Sequence, residues 1–194
     1  MTDDHSHDGE FLKYVTSPAF RSRSSSHEAG HAVLAHHFGH KVVDVSIEAR
    51  IVPEGSPDAK SISGGQLGAT GGHTQIDWTK VSIKAPNFDS YLQDIATVMM
   101  GGRAAEELTH PDDVVPAHWK ADVVYFHDAA SQAHRTESAI NHFLEEGHLQ
   151  AKELLQRTDI AEQHQRVRDY LFSGRGSHPN GEFITRRVMK GLST

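Results

Sequence analysis

Cysteine is missing from all 194 residues of this chain. Its absence excludes disulfides, thiolate-bound zinc clusters and a cysteine nucleophile together, so any metal site must be built from imidazole and carboxylate. It also fits a reducing compartment. A basic excess is missing too. The formal charge is −7 and no basic helix stands out, which argues against nucleic acid as a main partner. Long apolar runs are absent as well: the longest uncharged stretch, Ser61 to Ile76, is rich in Gly, Ser and Thr and is no membrane span. The acidic opening Met1-Thr2-Asp3-Asp4 lacks the basic and apolar regions of a signal peptide. The expectation is a soluble, cytoplasmic chain. Its 37% hydrophobic content with 16 glycines is enough for one good-sized core.

Histidine is abundant, with sixteen residues. They are widely spread (His5, His7, His36, His37, His40, His73, His110, His118 and His127 among them), so most are expected on the surface; metal buffering by the whole chain is the alternative. One pair stands apart. His27-Glu28-Ala29-Gly30-His31 is an H-E-x-x-H motif in sequence that reads as helix. Residues at i and i+4 lie about 40° apart around a helix and about 6 Å along it, so both imidazoles reach one tetrahedral metal ion. Glu28, about 100° from His27, is placed to hold a water on that metal and take its proton.

Residues 1–16 read as a mobile polar leader, and 17–194 as a single domain. Ser17-Pro18 supplies a helix N-cap and first position, and Ser25-Ser26-His27-Glu28 offers a competing capping box. The start at Pro18 is favoured, with the helix running through His31 to Phe38 and stopped by Gly39. Lys41 to Ile51 alternates in part (Val43, Val45, Ile47) and predicts a strand. Pro53 to Asp58 reads as a loop, and Ser61 to Thr70 as a Gly-rich loop or irregular edge strand. Asn87 or Asp89 caps the next helix, whose apolar residues Leu92, Ile95, Met99 and Leu108 surround Gly101-Gly102. A glycine pair inside a helix costs about 1 kcal/mol per residue, so close approach of another helix or a kink is expected there. Further helices are predicted over 119–134, 137–157 and 160–172, then a loop from Gly174 to Pro179 and a short helix from Gly181 to Gly191. The fold class is mainly α with a small β-sheet (α+β).

Three sources of a third ligand present themselves. The pattern H-E-x-x-H-x-x-G-x-x-H would use His37, but it needs a turn at position 34, which is Leu34; in a continuing helix His37 lies about 15 Å from His27. His36, His37 and His40 are better read as helix-end residues favourable to the dipole. Glu106 or Glu107 on the downstream helix is a second source. Asp122 is a third.

The motif His27-Glu28-Ala29-Gly30-His31-Ala32-Val33, the His40-Lys41-Val42 entry into a strand, and Ile95 to Leu108 with its Gly101-Gly102-Arg103-Ala104-Ala105-Glu106-Glu107-Leu108 run together resemble the zinc peptidase domain of the FtsH-type AAA protease family. The resemblance covers residues 27–125, with a weaker echo in Asn180-Gly181-Glu182-Phe183-Ile184. It implies one Zn²⁺ per chain held by His27, His31 and Asp122, the last fourteen residues beyond Leu108, as in the family. It implies Glu28 as catalytic base, with Glu106 and Glu107 left to orient ligands or form salt bridges. The Ser61–Thr70 segment would pair with an extended substrate. Where the family has a glycine and small residues before its aspartate, this chain has Pro116-Ala117-His118-Trp119-Lys120-Ala121. The family's ATPase module and membrane anchors are not found in these residues. The expected activity is therefore ATP-independent hydrolysis of peptides or unfolded segments, with a separate ATPase or adaptor as a partner and a homo-oligomer compatible with the resemblance. The competing expectation is a catalytically idle zinc-binding module that docks other proteins.

Overall fold

A computed structural model describes residues 13–14, 16–48, 50–53, 67–70, 72–78, 81–112, 119–174 and 180–191. Most of the expected leader, the Pro53–Asp58 loop beyond Pro53, and residues 61–66 lie outside them, as does the Gly174–Pro179 loop beyond Gly174. Among the described residues the chain is mainly helical with two small antiparallel strand pairs, an α+β fold as the sequence predicts.

Helix α1 (Pro18–His37) begins where Ser17 and Pro18 indicate: the Ser17 hydroxyl accepts from the Phe20 amide at 3.1 Å and proline takes the first position. The competing capping box is not used. Ser25 lies inside the helix and donates to the Arg21 carbonyl at 2.7 Å. The helix ends at Gly39, whose φ of +80° lets the His40 amide fold back onto the Ala35 carbonyl at 2.8 Å.

Every residue of α1 from Arg23 to Ala35 is buried, because the helix runs through the middle of the molecule. It packs against α3 (Gly101–Thr109) and α6 (Thr158–Phe172), while α2 (Phe88–Met99) packs against α5 (Glu137–Gln156). Helix α4 (Lys120–Gln132) leans on α2 and α5. The chain closes with a single turn, α7 (Gly181–Phe183), and a π-helical turn over Ile184–Val188, in place of the one short helix expected to Gly191.

The strand predicted over Lys41 to Ile51 is two strands. β1 (Lys41–Ser46) pairs with β4 (His73–Asp77), and β2 (Arg50–Pro53) pairs with β3 (Leu67–Thr70). The alternation of Val43, Val45 and Ile47 holds for Val45 and Ile47, both buried, and fails at Val43. A register shift between Val42 and Asp44 puts Val42 and Val45 inside and leaves Val43 only half-buried. β3 gives the Gly-rich segment its strand, with one edge already occupied by β2.

The Gly101-Gly102 pair does not sit mid-helix. The chain breaks at Met100, so α2 and α3 are separate helices and the glycines open α3. Both expected reasons for the pair apply. A Cβ on Gly30 would stand 2.4 Å from the Gly101 carbonyl oxygen, so α1 and α3 cross backbone to backbone at this point.

Candidate metal centre

The crossing of α1 and α3 brings the H-E-x-x-H face against the end of α2 and the start of α4. His27 and His31 are both buried, at 7% and 4% exposure, and their Nε2 atoms lie 3.0 Å apart. The Oδ2 of Asp122, third residue of α4, stands 3.2 Å from His27 Nε2 and 3.5 Å from His31 Nε2. Ligands about 2.1 Å from a tetrahedral ion lie roughly 3.4 Å from one another, so these three edges match one coordination face. The two histidines and Asp122 are one group able to hold a metal ion.

The hydrogen bonds behind the rings fix which nitrogen faces the site. His31 Nδ1 lies 2.7 Å from the Val98 carbonyl, which can only accept, so Nδ1 carries a proton and the ring turns its Nε2 inward. That carbonyl lies in the last turn of α2, where the Met100 amide also reaches it and its second lone pair is left for His31. His27 Nδ1 lies 2.8 Å from Glu106 Oε1, the arrangement that raises ligand basicity and holds a ring in place. Two ring nitrogens and a carboxylate oxygen thus converge on one point. Oδ2 of Asp122 is buried with no hydrogen-bond partner, since the approach of the ring nitrogens is off axis. Such a set requires a cation, either a proton or a metal. The fit to a metal is good.

Two further features frame the site. Gly102 forms its wall: a Cβ there would stand 2.5 Å from His27 Nε2 and 2.6 Å from His31 Nε2. Glu28, 4% exposed, is not in the ligand group. Its Oε2 accepts from the Thr74 hydroxyl on β4 at 2.7 Å, and the Thr74 hydroxyl also reaches the Glu28 carbonyl at 3.1 Å. β4 therefore holds the Glu28 carboxylate in one orientation.

The remaining sequence candidates are placed elsewhere. Glu106 supports His27 rather than the site itself. Glu107, about 100° further round α3, points to α5 and accepts from Arg103 at 2.8 Å, His148 at 3.0 Å and Lys152 at 3.1 Å. His36 and His37 are exposed at the end of α1 as expected. His40 is not a surface residue: it is buried edge-on to Trp78 and Tyr91, neither ring nitrogen has a hydrogen-bond partner, and burial lowers its pKa. His164, also buried, lies 3.0 Å from the Ser26 carbonyl one residue before the motif. Thr74 had no signal in the sequence, since it sits in a polar, Gly-rich stretch. Gly102 did, as half of the unexplained glycine pair.

No protein-family model and no curated protein matches the chain. Among the described residues no helix is long and apolar enough to cross a membrane.

Proposed function

We propose that the chain is a zinc-dependent metallopeptidase that hydrolyses peptide bonds in peptides or unfolded segments without using ATP itself. The observation that carries this reading is the division of labour inside one helical turn. His27 and His31 turn their Nε2 atoms to a shared point with Asp122, while Glu28 is buried beside them but tied to Thr74 and outside the ligand group. Zinc suits an all-imidazole and carboxylate set, and a set of three protein ligands among the described residues is the number that leaves a position open for chemistry. A zinc ion held there would polarise the scissile carbonyl and make an attacking water more acidic.

The chain's own residues do the rest. Glu28 accepts the proton of the attacking water and delivers it to the leaving amine. Thr74, donating to one carboxylate oxygen, fixes the carboxylate and leaves Oε1 to exchange the proton. Glu106 and the Val98 carbonyl hold the two rings so that neither can swing out of register. The resemblance to the FtsH-type peptidase domain supports the same assignment from the sequence side.

The test is Glu28→Gln. The substituted protein is expected to bind one equivalent of zinc as tightly as wild type and to lose peptide hydrolysis by at least about 100-fold, the scale of a missing general base. Equal hydrolysis by both proteins would remove Glu28 from the mechanism. Zinc binding by a wild type that cleaves no peptide would favour a docking module instead.

A further inference from the structure

We propose that Arg103 and Trp119 are positioning residues that fix the first turn of α4 and thereby hold the Asp122 carboxylate at the metal site. The proposal rests on the reading of His27, His31 and Asp122 as metal ligands, and does not depend on peptidase activity.

Asp122 is the least buried member of the ligand set, with 21% of its side chain open to solvent. It sits in the first turn of α4, and that helix start has no side-chain cap. Trp119 occupies the N-cap position, where an indole has no acceptor to offer the free amides. Uncapped first turns fray. A ligand on such a turn keeps its place only if something else pins the chain. The strongest internal anchor of α4, the fully buried Phe126 edge-on to Phe143, lies one turn beyond Asp122.

What touches Trp119 is α3. The Arg103 guanidinium lies over the Trp119 ring, 4.4 Å from its centroid. Arg103 is itself held, because its Nε donates to Glu107 Oε1 while Glu107 Oε2 receives His148 and Lys152 from α5. A planar guanidinium can stack and fork at once, which an ammonium cannot. The chain of contact therefore runs from α5 through Glu107 and Arg103 to Trp119, three residues ahead of Asp122. The same helix α3 supplies Gly102 as the site's wall and Glu106 as the partner of His27. One rigid element thus sets all three ligands' surroundings.

The experiment is a zinc titration against a chromophoric competing chelator, with the visible absorption of the Co²⁺-substituted protein as a second readout. Trp119→Ala and Arg103→Met are expected to weaken zinc binding by about 10–100-fold, the usual effect of losing a group that orients a ligand. The Co²⁺ spectrum should change in the same variants. Trp119→Phe keeps a ring under the guanidinium and is expected to restore most of the affinity. The thermal midpoint of the metal-free proteins serves as the control for folding. Should Trp119→Ala fail to fold, Arg103→Met carries the test from a partly exposed position. Wild-type affinity and an unchanged Co²⁺ spectrum in Arg103→Met or in folded Trp119→Ala would overturn the proposal. A wild type that takes up zinc and cleaves nothing leaves it standing while the peptidase reading falls. A wild type with no tight metal site overturns both.

Discussion

Without a metal ion, burial disfavours a charged His27 ring, but Asp122 and Glu106 outweigh that cost and hold its pKa well above the usual 6.5. Asp122 moves the other way. Burial opposes its charge, yet His31 and His27 keep its carboxyl well below the ordinary carboxylate range. At neutral pH the metal-free site therefore holds a protonated His27 and an ionised Asp122. A group with a raised folded-state pKa contributes stability below its unfolded value and loses it as pH rises through the folded one, so the metal-free protein should lose stability on mild alkalinisation. A metal ion held there would need the His27 lone pair and would have to expel that proton. Zinc affinity is therefore expected to rise about tenfold per pH unit as pH approaches the raised His27 pKa, levelling off once His27 is deprotonated, while Asp122 adds no slope. Calorimetric titrations in buffers of different ionisation enthalpy measure the proton released. A pH-independent affinity with no proton release would contradict this account of His27.

Elements set where these residues meet. α1 carries the motif yet has no amphipathic pattern, because a helix surrounded by α3, α6, β1 and β4 has no solvent face along most of its length. Its polar run Arg23 to Glu28 is buried rather than exposed, and Ser26 within it finds a partner across the crossing, its hydroxyl lying 2.8 Å from that of Thr109. α3 contributes through its backbone. Gly102→Ala introduces a methyl group where His27 and His31 turn their Nε2 atoms. Helix propensity favours alanine by about 1 kcal/mol and overpacking costs about 1–3 kcal/mol, so a net loss of about 0–2 kcal/mol in stability is expected. Zinc affinity is expected to drop by about 100-fold or more, beyond the range of an altered supporting residue. Unchanged zinc binding by Gly102→Ala, measured by chelator competition, would show that the rings do not present Nε2 to a metal against this wall.

At the scale of the whole molecule, what the sequence made legible was local chemistry. The Ser17-Pro18 start, the Gly39 stop, the helices after Trp119 and the arrangement of His27, His31 and Asp122 all follow from short-range signals or from a motif with fixed spacing. Less legible was whatever depended on which element lies alongside. Val43 was expected inside because alternation was counted without the register shift beside it, and the single strand to Ile51 splits because β4 and β3 each claim half. His40 looked like a helix-end residue until Trp78 and Tyr91 were seen to enclose it. Thr74 meets Glu28 across 46 positions of sequence, and no local pattern announces such a pairing.

The central claim is that one metal ion is held by His27, His31 and Asp122, with Glu28 left free as a base. Anomalous scattering from crystals of the zinc-loaded protein, collected on either side of the zinc edge, tests it most directly. The account predicts a single strong peak about 2.0–2.2 Å from His27 Nε2, His31 Nε2 and an Asp122 carboxylate oxygen, with Glu28 outside the coordination sphere. A peak bound through Glu106 or Glu107, with Asp122 turned to solvent, or one remote from His27 and His31, would contradict it.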